Sequence, residues 1–275
     1  MSRGLRRRTS AAVTRDLFDR RLRALRRDRA ARRGGDIFLL ERAFDECLDR
    51  LGGISRRFES ALLIGCPSPD WPRRLGDHAR QVEVVDPGAR FAAAVGGTLV
   101  EEDRHDFGIA RFDLCVAAGT LDTVNDLPLA LHHLRRALRP DAPLIGAIAG
   151  GSSLPALRAA LIEADRASGR AIARSHPRIE ARSLAGLLAA AGFAMPVVDI
   201  DRVRLRYRDL ADLVRDLRAM AANGLLADRP PPLSKSAAQR AAQAFAAVGD
   251  GGRTEEVIDL IYFIGWSPKN GEAPG

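Results

Sequence analysis

Residues 61–70 read ALLIGCPSPD, a short apolar run followed at once by glycine, cysteine and a proline-rich turn. An apolar run that ends in turn residues is typical of a strand buried on both faces of a sheet. Further apolar runs lie at 82–85, 98–100, 112–117 and 144–149, and turn residues or helical patterns separate them. Strands that alternate with helices predict a parallel sheet with helices on both faces.

The remainder of the chain adds helices and two more strands to this pattern. Helical patterns cover 154–168, 183–191, 209–222 and 234–248, and strand patterns cover 196–206 and 257–266. We therefore predict an α/β protein with a Rossmann-like, doubly wound, mostly parallel seven-stranded sheet, an N-terminal helical arm and a helical cover. The predicted domains are a basic arm over residues 1–35, a main domain over residues 36–270 with a helical insertion near 208–250, and a tail over residues 271–275.

The positive charge of the chain is concentrated at its beginning. The 275 residues carry a net charge of +8, and of the 43 basic residues only Lys235 and Lys269 are lysines. Residues 1–33 hold 13 arginines against three aspartates, a net charge of +10, which leaves −2 on the rest of the chain. A few apolar residues at helical spacing predict that residues 14–33 form a basic helix.

Composition excludes several classes of protein and site. No run of about 18 apolar residues is present, so no membrane-spanning segment is predicted. The arginine-rich start lacks the apolar region of a secretory signal, although it shares features with an organellar transit peptide. Cys47, Cys66 and Cys115 lie too far apart for a paired-cysteine motif, and the histidines form no ligand set, so no metal site is predicted. We expect a reducing, cytoplasmic location.

Candidate binding residues follow the strands, because ligands of open parallel sheets bind beyond the carboxyl ends of the strands. These positions are Gly65 and Cys66, Asp86, Glu101 and Glu102, and Ala118. Asp86 either accepts hydrogen bonds from ribose hydroxyls or begins a turn. Glu101 and Glu102 either approach an adenine or ribose, or form a solvated charge run. Asn125 and Asp126 precede a predicted helix and suit its N-cap.

Short motifs from Leu17 to Trp266 carry a family resemblance. The segments 61–66, 85–86, 111–114, 123–128 and 138–141, in this order, resemble the class I S-adenosylmethionine-dependent methyltransferases. The segments 17–20, 150–158, 191–193, 199–207 and 261–266 resemble, more narrowly, the respiratory complex I assembly factors of the arginine-hydroxylase type and their bacterial relatives. The resemblance implies a methyltransferase-like main domain that binds S-adenosylmethionine. Asp86 would then hold the ribose, Gly65 and Cys66 the methionyl end, and Glu101, Glu102 and Ala118 the remainder of the cofactor.

The chain departs from the family at the cofactor loop. The family has a Gly-Cys-Gly-x-Gly type of loop with an acid two positions before the first glycine, and this chain has Leu63, Pro67 and Pro69 at three of those places. Proline has no N–H to donate, and leucine cannot accept a hydrogen bond. Asp70 could replace the missing acid in part. Asp122 also stands near a position where the family tends to have an aromatic pair. We expect cofactor binding to be weakened or lost.

Three functions agree with the sequence. The resemblance implies a protein that modifies an arginine of a protein client during respiratory-complex assembly, with a complex I subunit as the candidate client. The alternatives are a small-molecule or carrier-protein O-methyltransferase, since one fold serves many substrates, and a non-catalytic assembly chaperone. No catalytic residue is identified. The arm of 13 arginines is expected to dock a protein partner rather than nucleic acid, because only Phe18 interleaves with its charges as a stacking aromatic.

Overall fold

The computed structural model describes residues 16–166, 169 and 172–269. Residues 1–15 of the predicted arm and the predicted tail at 271–275 lie outside the described residues. The helices are α1 (Arg20–Arg33), α2 (Phe38–Gly52), α3 (Trp71–Leu75), α4 (Ala89–Ala94), α5 (Leu127–Ala137), α6 (Pro155–Arg166), α7 (Ala181–Ala190), α8 (Leu210–Ala219) and α9 (Lys235–Ala247). The strands are β1 (Phe58–Ile64), β2 (Ala79–Asp86), β3 (Thr98–Leu99), β4 (Leu114–Ala118), β5 (Pro143–Gly150), β6 (Ala194–Tyr207) and β7 (Thr254–Trp266).

The strands form one seven-stranded sheet in the order β3-β2-β1-β4-β5-β7-β6. The first five strands run parallel to one another. β7 lies antiparallel between β5 and β6. The chain therefore reverses the direction of strand addition between β1 and β4, which is where open sheets of this kind bind ligands. The predicted fold class is confirmed.

Helices cover both faces of the sheet, as the apolar runs require. Along β1, Leu63 is buried in one core cluster with α2 and α9, whereas Leu62 and Ile64 are buried in the other cluster with α5 and α7. Alternate residues of a strand point to opposite faces, so a run without polar residues buries both. On the α2 face, Phe44 stacks on Trp71 with ring centroids 4.2 Å apart.

The first described helix begins later than the sequence pattern predicts. The apolar spacing predicts a helix from residue 14, but α1 begins at Arg20 with Asp19 as its N-cap, whose side chain accepts a hydrogen bond from Leu22 N. Phe18 is extended and forms an antiparallel bridge with Leu226. The cap and the bridge together end the helical pattern, because an N-cap residue has non-helical backbone angles. In the described part of the chain, no helix is both long and apolar enough to cross a bilayer.

Candidate functional site

The carboxyl ends of β1, β2, β3 and β4 meet at one edge of the sheet, and α1 lies along it. Asp86 is the last residue of β2 and is fully buried. Its Oδ1 accepts hydrogen bonds from Arg27 Nε and Gly88 N, both at 2.7 Å. Its Oδ2 accepts from Arg27 Nη2 at 2.5 Å and from Cys66 N at 2.8 Å. Both oxygens of this carboxylate are therefore already paired with donors of the chain itself.

Glu102, which follows β3, is paired in the same way. It is fully buried, and its two oxygens accept from Arg23 Nη1 at 2.7 Å and Arg23 Nη2 at 2.9 Å. Arg23 also donates to the carbonyl oxygen of Thr120 at 2.7 Å and to Thr123 Oγ1 at 3.0 Å. A two-pronged pair between a guanidinium and a carboxylate is the strongest common form of ion pair in proteins. Arg23 thus connects the segments that follow β3 and β4.

A third arginine–carboxylate pair lies at the same edge, closer to solvent. Arg20 donates from both terminal nitrogens to Asp103, each at 2.6 Å, and from Nη1 to Glu101 at 3.2 Å. Burial would raise the pKa of Asp103, but the hydrogen bond and charge of Arg20 outweigh it and hold the pKa below its ordinary value. Glu101 is more exposed than Asp103, with 40% of its side chain accessible against 2%. The pair on Asp103 therefore contributes more than the contact with Glu101.

Arg20, Arg23 and Arg27 lie on one face of α1 because they are spaced by three and four residues. The sequence predicts these arginines as part of a basic arm that docks a protein partner, and the structure places all three against acids of the sheet edge. Those acids are 59 to 83 residues away along the chain. The spacing of the arginines was the available signal, but nothing local in the sequence pairs them with Asp86, Glu102 and Asp103.

Asn125 holds the backbone just before α1. Its Oδ1 accepts from Phe18 N at 2.7 Å, and its Nδ2 donates to Phe18 O at 3.0 Å. Asp126, and not Asn125, is the N-cap of α5, with its side chain accepting from Leu129 N at 2.9 Å. The predicted N-cap role is thus confirmed for Asp126 and wrong for Asn125, whose side-chain amide instead binds the backbone of Phe18.

Replacing Asn125 with alanine is expected to lower the free energy of unfolding by about 1–2 kcal/mol, because two backbone groups of Phe18 lose their partner. Asn125→Asp should not restore the loss, since one of its oxygens would face the carbonyl of Phe18. Urea unfolding of the wild type and both variants measures this effect. An unchanged unfolding free energy in Asn125→Ala would mean that the hydrogen bonds between Asn125 and Phe18 do not stabilise the fold.

His176 supports the loop that pairs with the start of the arm. Its Nε2 accepts a hydrogen bond from Leu225 N at 2.9 Å, and its ring lies edge-on to Phe18 with centroids 5.5 Å apart. Burial, with a smaller contribution from the charge of Arg178, lowers the pKa of His176 to about 4. An acceptor nitrogen must be unprotonated, so the neutral form of His176 is the one that holds Leu225.

This shift predicts an acid-sensitive contribution to stability. The pKa of His176 is lower in the folded state than its ordinary value of 6.5, so the unfolded state binds the proton first. The contribution is complete above pH 6.5 and is lost as pH falls toward 4. We expect a loss of about 3 kcal/mol in this window. Urea unfolding at several pH values should show it in the wild type and not in His176→Gln. An equal slope in both proteins would contradict the assignment.

A partly enclosed cavity of about 90 Å³ lies beside α1 at the ends of β4 and β5. Its apolar wall includes Leu39 from α2 and Leu217 from α8, and its polar wall includes Asp122 and Arg178. Burial raises the pKa of Asp122 above its ordinary value, although the positive charges of Arg178 and Arg23 oppose the shift. Arg178 donates to the carbonyl oxygen of Ser153 at 3.1 Å. The cavity therefore combines an apolar wall with a half-buried carboxylate and the guanidinium groups of Arg23, Arg27 and Arg178.

The remaining predicted residues lie at the same edge. Gly65 follows β1 with a φ of +79°, and Cys66 and Ala118 are buried beside it. Burial is the main cause that raises the pKa of the Cys66 thiol to about 12, so this cysteine is a buried apolar residue rather than a nucleophile. The structure thus brings together all six predicted residues, Gly65, Cys66, Asp86, Glu101, Glu102 and Ala118. Their role in cofactor binding stays a prediction.

The residues at this edge do not fit S-adenosylmethionine in the arrangement that the structure shows. Asp86 has no free acceptor for ribose hydroxyls, because Arg27 and two backbone amides use both of its oxygens. The space against Gly65 is filled by Thr120, whose Cγ2 lies 2.6 Å from where a Cβ of residue 65 would be. Pro67 and Pro69 offer no N–H in the loop that follows.

Metal ligands do not converge at this edge or elsewhere in the described residues. No group of three or more His, Cys, Asp and Glu side chains within 16–166, 169 and 172–269 could hold a metal ion.

Comparison with known proteins identifies the family to which the chain belongs. Residues 36–196, more than half of the chain, match the family described as a methyltransferase domain. The chain belongs to the methyltransferase domain family. This membership, with the sheet order, confirms the predicted resemblance to class I S-adenosylmethionine-dependent methyltransferases.

Two curated relatives and one solved structure extend the comparison of this methyltransferase-domain protein. Arginine-hydroxylase NDUFAF5, mitochondrial, from Danio rerio is 28% identical over 255 residues, covering 86% of this chain and 77% of the relative. Malonyl-[acyl-carrier protein] O-methyltransferase from Laribacter hongkongensis is 30% identical over 179 residues, covering 65% and 59%. The N-methyltransferase NodS from Bradyrhizobium japonicum, solved with S-adenosyl-l-homocysteine, has a TM-score of 0.50 at 16% identity and covers 91% of this chain and 100% of its own. The likeness to NodS shows the fold alone.

Proposed function

We propose that this chain acts on a protein client during the assembly of a respiratory complex, and that it recognises an arginine of that client. One observation carries the proposal: Asp122 lines a cavity beside an edge whose other acids, Asp86, Glu102 and Asp103, each hold a guanidinium group of α1 through both carboxylate oxygens. This chemistry agrees with the name of the relatives called arginine-hydroxylase, which match 86% of the chain in Danio rerio and 94% in Homo sapiens.

Asp122 is the acid that we assign to the arginine of the client. The other three acids are engaged by α1, whereas Asp122 lies in the wall of the cavity, near the charges of Arg178 and Arg23. Leu39, Leu217 and Met220 line the same cavity and suit the methylene stem of an arginine side chain. A carboxylate in a cavity whose pKa is raised by loss of hydration is a candidate functional group, because the charged form opposes stability. Arg178 lies on the wall of the cavity and would orient the client by its remaining donors.

The contacts at the carboxyl edge of the sheet favour a second function, that of a non-catalytic assembly factor. The paired Asp86 and the Thr120 side chain packed on Gly65 leave the cofactor positions filled by the chain. Methyl transfer to a small molecule or a carrier protein has the name of the Laribacter hongkongensis relative in its favour. It also requires S-adenosylmethionine, which the edge does not fit, so we place it third.

Arg21, Arg32 and Arg33 of α1 are exposed and remain available to the protein partner that we propose for the arm. The structure engages Arg20, Arg23 and Arg27 inside the chain, so the predicted docking role falls to the exposed arginines. Charges on one surface steer an acidic partner through their combined field. The cytoplasmic location stays a prediction, and the Danio rerio relative carries the word mitochondrial in its name.

Deletion of the gene in its own host, followed by complementation, tests the proposed function. Intact respiratory complexes are assayed by native electrophoresis, and their subunits by peptide mass spectrometry for an arginine that gains one oxygen atom or one methyl group. We expect both complex assembly and one modified arginine to depend on the chain. Assembly that depends on the chain without any modified arginine would select the non-catalytic function. Normal assembly in the deletion strain would contradict both.

A further inference from the structure

We propose that α1 has taken the place of the cofactor in this chain: the acids that the fold provides for S-adenosylmethionine hold the arginine face of α1, and S-adenosylmethionine does not bind. This inference does not rest on the client or on its arginine. It concerns only what occupies the carboxyl edge of the sheet and what keeps the folded chain together there.

The pairing of charges along the edge is the first support. Asp86 ends β2, and Glu102 and Asp103 follow β3, so these acids lie where the ribose and adenine of a nucleotide bind in such sheets. Arg27 reaches Asp86 and Arg23 reaches Glu102 with both partners of each pair buried. A nucleotide could use Asp86 only if the Arg27 guanidinium left it, and the departing group would leave a buried acid without its partner.

The backbone at this edge also allows α1 to approach closely. A Cβ on Gly88 would lie 2.7 Å from Arg27 Cβ, so only glycine allows this approach of the helix. The φ of Gly88 is −108°, which any residue can adopt, so the close contact and not the backbone conformation explains the glycine. Asp28 of α1 accepts a hydrogen bond from Arg90 N at 2.9 Å and so caps α4 from outside. The Arg27 guanidinium also lies 5.0 Å from the ring centre of Phe91 in α4.

The loop after β1 gives a separate reason why the cofactor is not retained. Leu63 is fully buried and packs in the core, so its position offers no acceptor for an amino group. Cys66 N, the loop amide nearest to the acid, already donates to Asp86. Loss of the methionyl contacts and occupation of the ribose contact act on different parts of the cofactor. Removal of Arg27 alone would therefore not restore binding.

Isothermal titration calorimetry with S-adenosylhomocysteine tests the replacement, using the full chain as wild type and as Arg27→Ala. We expect no saturable heat from either protein up to millimolar ligand. Saturable binding by the wild type would overturn the inference. Binding gained by Arg27→Ala would overturn it too, since α1 would then only cover a working cofactor site. Arg27→Lys, which keeps the charge and loses the two-pronged pair, replaces Arg27→Ala if circular dichroism shows that the alanine variant is unfolded.

A matched pair of glycine variants tests the docking of α1 without removing any charge. Gly88→Ala should lower the thermal midpoint by several degrees, because the new Cβ meets Arg27 and α1 must move. Gly186→Ala is the control: Gly186 lies inside helix α7, and a Cβ there would have no atom within 4 Å. Equal midpoints for the two variants would show that α1 does not lie on the edge, and would overturn the inference.

Discussion

Replacing Arg27 with alanine is expected to lower the free energy of unfolding by about 3–5 kcal/mol, a large part of the stability of a domain of this size. Arg27 is 4% exposed and Asp86 is 0% exposed. The variant leaves the Asp86 carboxylate buried, with only Gly88 N and Cys66 N as donors. Breaking one partner of a buried ion pair is far more destabilising than losing an exposed pair, because the remaining charge cannot be hydrated. Urea unfolding followed by circular dichroism measures the change.

Two further variants separate this effect from a general loss of helix α1. Arg21→Ala removes an exposed arginine of the same helix and should change the unfolding free energy by less than about 0.5 kcal/mol. Asp86→Asn in the Arg27→Ala background removes the unpaired charge and should restore part of the stability, although its amide nitrogen would face the N–H of Gly88 or of Cys66. If Arg27→Ala behaved like Arg21→Ala, the ion pair with Asp86 would not be formed in solution.

Asp122→Asn is expected to abolish the proposed arginine modification while it stabilises the fold. The amide keeps the size of the side chain but lacks the charge that would pair with a guanidinium. At neutral pH the variant should be more stable by about 1 kcal/mol, because it removes a charge that is poorly hydrated in the folded state. The complementation assay gives the first result and urea unfolding the second. Asp77→Asn, at an exposed aspartate, is the matched control and should change neither.

The sign of the pH dependence distinguishes this account of Asp122 from a simple loss of a contact. The pKa of Asp122 is raised in the folded state, so the folded chain holds the proton more tightly than the unfolded chain does. Stability attributable to Asp122 is therefore present at acid pH and falls as pH rises from 3.8 through the folded pKa. The gain in Asp122→Asn should be largest at neutral pH and vanish below pH 3.8. A variant less stable than the wild type at neutral pH would contradict the assignment.

The sheet was predictable because two local patterns mark its strands. The run at 61–64 is apolar throughout, as in a strand buried on both faces, and the segment at 196–206 alternates apolar and charged residues, as in a half-exposed strand. The short helices α3 and α4 were not predicted. Their five and six residues are too few for a helical period to show. Residues 14–19 followed a helical pattern, but pairing with the loop at 225–227 imposed an extended backbone at Phe18.

Of the site residues, only the acids that follow the strands could be predicted from the sequence. The rule that ligands bind at strand ends was enough to select Asp86 and Glu102. Their partners Arg27 and Arg23 could not be inferred, because the charge pattern of the arm is equally that of a solvated helix. The departures at Leu63, Pro67 and Pro69 did indicate a weakened cofactor site. Only the fold shows that a helix of the same chain fills it.

Hydrogen exchange of the full wild-type chain, followed by mass spectrometry, tests most directly whether α1 lies on the acids of the sheet edge. Helix ends and undocked segments exchange by local opening, whereas docked elements open only with their neighbours. We predict that amides of Arg20–Arg33 are protected to the same extent as those of β2, and that Arg27→Ala removes the protection of α1 first. Exchange of α1 at the rate of an unstructured peptide, with β2 still protected in the wild type, would contradict the account.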